Sequence, residues 1–160
     1  MLQKVRSKKI RSAGTFAIVA STYNPRYVDA MLRAAKSEIL RSGGNVQIVR
    51  VPGAFEIPVV AANLARTQKV SAIICLGVIL RGATTHAQHI GEAVSDALMR
   101  IQIQCEVPVI HEVLLLENEQ QAVERCLGKT HNRGTEAAQT ALEMARVMKS
   151  LRQPEDDVPF

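Results

Sequence analysis

The stretch Gly77–Ile90, GVILRGATTHAQHI, decides how the rest of the chain is read. Up to Leu80 it completes an apolar run that begins at Val70, VSAIICLGVIL. From Ile90 onward, Ala93, Val94, Ala97, Leu98 and Ile101 recur at the spacing of one helix face. A strand without a polar face has to be covered on both sides, as in a parallel sheet carrying helices on each face. The change of period falls across Arg81–Thr85, so one strand hands over to one helix, the unit from which such sheets are built.

The same alternation runs outward in both directions. TFAIVAS (Thr15–Ser21) reads as a first strand. Pro25 suits the first turn of the following helix, with Asn24 as its cap. Val28, Met31, Leu32, Ala35, Ile39 and Leu40 keep helical spacing until SGG at Ser42–Gly44. VQIVRV (Val46–Val51) is a second strand, and PGAFEIP leads into a helix over Val60–Leu64. VPVIHEVLLL (Val107–Leu116) is a fourth strand, followed by ENEQQAVERCLG. A last helix carries Ala138, Ala141, Leu142, Ala145 and Met148. These elements predict a three-layer α/β/α sandwich around a four-stranded parallel sheet. One domain over residues 14–151 is expected, between a basic arm (1–13) and a polar tail (152–160).

Composition agrees and excludes several classes. With 160 residues, 47% apolar and only 3% aromatic, the core must be built from Ala, Val, Ile and Leu, which suits helices on a sheet. The formal charge of +5 is carried by Lys4, Arg6, Lys8, Lys9 and Arg11, and the remainder is close to neutral. No basic face for tracking a phosphate backbone remains, so no nucleic-acid partner is expected. The arm lacks the apolar segment of a secretory signal, and no run is long enough to span a membrane. Cys75, Cys105 and Cys126 are an odd, widely spaced set without CxxC, which fits a reducing, cytoplasmic setting with Cys75 as a core thiol.

In open parallel sheets ligands bind beyond the carboxyl ends of the strands. That rule singles out STYNP, VPGAFEIP, LRGATTH and HEVLLLENE. In the third of these, Thr84 or Thr85 can cap the long helix, whose free N–H groups favour an anion, and Gly82 permits close approach. His86 falls in the first turn, a position suited to proton transfer. The same residues also satisfy a plainer reading, with the threonines as caps, His86 on the surface and His89 structural. Phe55 and Glu56 stand at a helix start and can serve a flat, hydrogen-bonding heterocycle, or can be core and dipole partner. Tyr23 offers a ring for stacking, or is a surface aromatic. Arg125 lies in a turn between helices with Lys129, Arg133 and Glu136 nearby. It can complete a phosphate site or be a solvated charge. Neither GxxxxGK[ST] nor GxGxxG occurs, and no carboxylate–histidine set has metal-ligand spacing, so no nucleotide, metal or other cofactor is expected. The residues themselves lead to an α/β protein that binds a small phosphorylated or anionic ligand.

VPGAFEIP, GVILRGATTH, ENEQQAVER and NRGTEAAQTALEM, in that order from about Phe16 to Met148, resemble the lumazine synthase family of riboflavin biosynthesis. The resemblance implies a flavodoxin-like fold and a cofactor-free condensation. The substrates would be 5-amino-6-(D-ribitylamino)uracil and 3,4-dihydroxy-2-butanone 4-phosphate. The products would be 6,7-dimethyl-8-ribityllumazine, phosphate and water. It further implies that Tyr23 stacks on the pyrimidine, and that Ala54, Phe55, Glu56, Val78, Ile79 and Leu80 contact its ring and ribityl chain. Ala83, Thr84 and Arg125 would hold the phosphate, His86 would transfer protons, and Arg133 with Glu136 would border the site. Sites between subunits of a homopentamer are implied, with a 60-subunit shell and association with riboflavin synthase as further options. CLGKTHNRG carries no insertion of the kind found in members that stop at pentamers or decamers. One departure stands out: His111 and Glu112 replace the usual aromatic residue and Gly. His111 would border the neighbour's pyrimidine site, and Glu112 adds charge beside it.

Overall fold

A computed structural model describes residues 14–152. The basic arm and nearly all of the polar tail read from the sequence lie outside the described residues. The four strands are β1 (Thr15–Ser21), β2 (Asn45–Val51), β3 (Ala72–Leu80) and β4 (Val109–Leu116). They form one parallel sheet in the order β2-β1-β3-β4. The helices are α1 (Pro25–Arg41), α2 (Ile57–Arg66), α3 (His86–Cys105), α4 (Glu119–Cys126) and α5 (Arg133–Arg152), with a 3₁₀ turn at Ala54–Glu56 before α2. The second helix is longer than the apolar stripe from Val60 to Leu64 because Ile57 and Pro58 open its first turn.

Strand alternation divides the interior into two cores. Phe16, Ile18 and Ala20 of β1 and Ile74, Leu76 and Val78 of β3 face α1, α4 and α5, meeting Met31, Ile39, Ala138 and Leu142. Ala17, Val19, Ile73 and Cys75 face the other way, against Ile57, Ala61, Val94 and Leu98 of α2 and α3. The central strand is buried on both faces from Ala72 through Val78. Cys75 is fully enclosed there, and burial pushes its thiol up to about 12. It is the inert core thiol that its apolar flanks implied.

Connectivity decides where a ligand can sit. From β1 the chain moves outward to β2, then returns across β1 to β3 and continues to β4. The loops after β1 and β3 therefore leave in opposite directions and open a crevice at the carboxyl edge. The helix between β1 and β2 ends sharply, as SGG predicts. Gly43 takes φ 85°, and Gly43 N and Gly44 N donate to Leu40 O (3.0 Å) and Ile39 O (3.1 Å).

Packing of α5 on α1 is closest at Gly134, where a Cβ would overlap the backbone of Met31. Only glycine allows this approach. Gly134→Ala should therefore destabilise the fold by at least about 2 kcal/mol through overpacking. The check is a lower denaturant midpoint at unchanged slope; an unaltered midpoint would contradict the contact.

Candidate active site

Three loops converge at the crevice through backbone hydrogen bonds. Thr22 N donates to Val51 O (2.7 Å) and Tyr23 N to Pro52 O (3.1 Å), which fastens the loop after β1 to the loop after β2. Asn24 is a helix cap in position but not in bonding. It adopts φ 53°, ψ 54°, and its side chain gives α1 no capping hydrogen bond. Its Nδ2 instead donates to Val78 O at 2.7 Å, across the crevice. A left-handed conformation is one that Asn tolerates better than most residues. The cost is offset by satisfying a buried carbonyl that has no strand neighbour on that side.

The segments carrying Tyr23, Ala54–Glu56 and Val78–Leu80 are thereby held at one edge. Tyr23 and Phe55 are 72% and 63% exposed, so neither is a core aromatic in the isolated chain, and both rings are free to meet a ligand or another molecule. Ala54 is half-buried and Glu56 exposed, while Val78 is buried beneath the half-buried Ile79 and Leu80. The 3₁₀ turn packs against α3 and β3.

The next segment, Arg81–His86, is exposed throughout. The threonines are not side-chain caps in the expected sense. Thr85 occupies the cap position of α3 without a side-chain capping bond, and Thr84 Oγ1 accepts only a long contact from His86 N, 3.4 Å. The reason is the backbone of Thr85 (φ −76°, ψ 2°), which is not the extended conformation a capping hydroxyl needs. The first-turn N–H groups of α3 thus remain available to an anion, with His86 as the first helical residue and His89 exposed one turn on.

His111, Arg125, Arg133 and Glu136 are not bonded to this set among the described residues. His111 pairs with Cys75 in register, five residues short of the Leu80–Leu116 pair at the carboxyl edge, or roughly 16 Å along the strand. Its ring turns toward α3, where Nδ1 accepts from Val113 N (3.1 Å) and Nε2 lies 2.7 Å from Ser95 Oγ. Ser95 Oγ also donates to Gly91 O at 2.7 Å, so the ring carries its proton on Nε2. Burial of this inner edge holds His111 below its ordinary value of 6.5. An open cleft of about 620 Å³ runs beside it, between α3 and β4, and reaches Arg81.

Arg125 is not in a turn: it sits in the last turn of α4. That helix forms because Asn118 Oδ1 accepts from Gln121 N (2.9 Å), while Ala122 and Cys126 supply a buried face at i, i+4 spacing. The Arg125 side chain makes no hydrogen bond or ion pair among the described residues, and the residue is half-exposed. Arg133 Nη1 pairs with Glu136 Oε2 (3.2 Å) at the start of α5. Among the described residues no hydrogen bond or ion pair joins Arg125, Arg133 or Glu136 to Tyr23, to the 54–56 turn or to the 83–86 loop. One copy of the chain brings together the residues at the ends of β1, β2 and β3, and leaves Arg125, Arg133 and Glu136 on the layer with α1 and His111 facing α3.

One feature had no local signal in the sequence, and a second, Glu112, was visible there only as an added charge. Ser95, the partner of His111, is one serine on the face of a long helix and becomes informative only across the α3–β4 packing. Glu112 sits among apolar neighbours on the α5 side of β4, 9% exposed, without a hydrogen bond or ion pair among the described residues. Burial pushes its carboxyl up to about 7; Glu136 adds to the shift and Arg133 opposes it.

The fold and these loops define an α/β protein with an anion-receptive helix terminus, open rings for stacking and a first-turn histidine. The family profile described as 6,7-dimethyl-8-ribityllumazine synthase matches residues 13–149. An Aquifex aeolicus (strain VF5) 6,7-dimethyl-8-ribityllumazine synthase is 42% identical over 140 residues, covering 86% of this chain and 91% of that protein. The protein of the same name from Stenotrophomonas maltophilia (strain R551-3) is 39% identical over 139 residues, covering 85% and 90%. This chain belongs to the 6,7-dimethyl-8-ribityllumazine synthase family of transferases in riboflavin biosynthesis. A sigma-54 interaction domain protein from Enterococcus faecalis aligns over 91% of this chain and 98% of that one, at 12% identity and a TM-score of 0.33, too weak a likeness to bear on the fold. Among the described residues no helix is long and apolar enough to cross a membrane, and no group of three or more His, Cys, Asp or Glu could hold a metal ion.

The buried carboxyl of Glu112 gives a pH signature. An unfolded Glu titrates at its ordinary 4.5 and the folded one near 7, so the folded state keeps an extra proton across that window. This contribution to stability is full below about pH 4.5 and is lost as pH rises through 7. Compared with Glu112→Gln, the wild type should lose unfolding free energy steadily between about pH 5 and pH 8. Parallel stability curves for the two proteins would contradict the burial.

Proposed function

We propose that the ends of β1, β2 and β3 form the reacting half of a lumazine-forming site, completed by a second copy of the chain. The family reaction condenses 5-amino-6-(D-ribitylamino)uracil with 3,4-dihydroxy-2-butanone 4-phosphate. The observation that carries the assignment is the convergence of Tyr23, Ala54–Glu56 and Val78–Leu80 on one crevice, beside a helix terminus that begins with His86.

In this reading Tyr23 stacks on the pyrimidine, while Ala54, Phe55, Glu56 and the ends of Val78, Ile79 and Leu80 receive its polar edge and ribityl chain. The phosphate lies on the N–H groups behind Ala83 and Thr84, where the dipole of α3 and the partner's Arg125 position it and ease its departure. An amine attacks a carbonyl, a Schiff base forms, and phosphate leaves before the ring closes. Each step moves a proton, and His86, beside the phosphate loop, is placed to carry it. No metal or redox group is required by this sequence of steps.

The family works on small molecules as oligomers. Arg125, Arg133, Glu136 and His111 are then contributed by the neighbour, in keeping with the lack of any bond between them and the crevice among the described residues. A ring of five copies, open to closing into a 60-subunit shell and to association with riboflavin synthase in the cytoplasm, is the assembly we assign. A second reading, a lumazine- or flavin-binding protein with weakened catalysis, draws on His111, whose two ring nitrogens are already engaged.

Mixing the protein with both substrates should form lumazine well above the spontaneous rate. Arg125→Ala should raise the apparent KM for the butanone phosphate roughly ten- to a hundredfold. His86→Ala should lower kcat by about a hundredfold without abolishing turnover. Tight lumazine binding with only background turnover would favour the second reading. A strictly monomeric mass in solution would overturn a shared site.

A further inference from the structure

We propose that Arg81 is a positioning residue for the phosphate loop, a role that rests on the reading given under Proposed function. Gly82–Thr85 has few internal constraints. A Cβ on Gly82 would meet nothing within 4 Å, neither threonine makes a capping bond to α3, and the segment is exposed. What fixes it lies at its ends, and Arg81 acts on both. Its backbone N donates to Leu116 O at 2.8 Å, continuing the β3–β4 ladder one residue past the strand.

Its guanidinium then divides. Nη1 donates to Glu117 Oε1 (2.8 Å) at the exit of β4, and Nη2 to Gln88 Oε1 (3.2 Å) in the first turn of α3, two residues beyond His86. Both acceptors are themselves held. Glu117 N donates to Gln121 Oε1 (2.9 Å), and Gln88 Nε2 donates to Glu92 Oε1 (2.9 Å). One planar side chain therefore spans the loop from the end of β4 to the start of α3, and the loop closes over that span.

The Arg81–Glu117 pair is well exposed (39% and 58%), so its effect on global stability is small. Its effect on geometry need not be small, because a displacement of the phosphate by a fraction of an ångström misaligns the reacting carbon. The charge alone is insufficient. A lysine ammonium lacks the fixed fork that reaches two acceptors in different directions.

The test is steady-state kinetics on Arg81→Ala, Arg81→Lys, Glu117→Gln and the Arg81→Ala/Glu117→Gln double variant. Positioning predicts that each raises the KM for the butanone phosphate about tenfold, with the pyrimidine KM and thermal midpoint unchanged. The double variant should be no worse than either single change. Rescue by lysine, or an unaffected Glu117→Gln, would instead mean that Arg81 meets the phosphate directly and would overturn the proposal. An active wild type with an unaffected Arg81→Ala removes Arg81 while leaving the proposed site intact. A wild type without turnover removes both.

Discussion

Everything else in this fold follows from the burial of β3 on both faces. Ala72 through Val78 have no exposed side, so the strand must be apolar, parallel to its neighbours and covered by a helix layer above and below. Polar groups can enter only where the strand leaves the sheet. Gly77 marks how tight that enclosure is: a Cβ there would stand 3.2 Å from Val113 Cγ1 and 3.4 Å from Ile57 Cδ1. Polar residues are thus displaced to Arg81–His86, and the fold sets them at the N-terminus of α3.

Long-range hydrogen bonds then hold a set of exposed loops together where the site is proposed. Asn24 reaches Val78 O, the loop after β1 is fastened to the loop after β2, and Arg81 joins the ends of β3 and β4 to α3. None of these bonds adds much to global stability, since most are at the surface and individually modest. Their work is to hold backbone carbonyls and N–H groups at fixed separations. The condensation proposed for this site depends on that, because positioning and proton movement are what these residues can contribute.

The fold was legible in the sequence because its signals are periodic. The strands of β1, β2 and β3, the α1 stripe and the glycine stop at Gly43 all lie within a few residues of where the pattern puts them. What was not legible is whatever depends on contacts far apart in sequence. Asn24 before Pro25 has the pattern of a cap, yet its side chain finds Val78, 54 residues away. Thr84 and Thr85 have the pattern of caps, and the backbone angles of Thr85 prevent it. Arg125 reads as a turn residue because ENEQQAVERC is mostly polar, and the Asn118 cap with the burial of Ala122 and Cys126 makes α4. The site residues at the carboxyl edge followed from the rule for parallel sheets and from family resemblance together. The setting of His111 five residues back along β4, and the pairing of Arg133 with Glu136, needed coordinates.

The central claim is that catalysis uses the phosphate loop of one copy and Arg125 of another. Subunit complementation tests it most directly: His86→Ala and Arg125→Ala chains, assayed at a butanone phosphate concentration well below the wild-type KM, where each alone is strongly impaired, are unfolded, mixed in equal amounts and reassembled. Random pairing around a ring leaves about one interface in four with both native residues, so the mixture should recover about a quarter of wild-type turnover. A mixture no more active than the average of its two components would contradict a site shared between subunits.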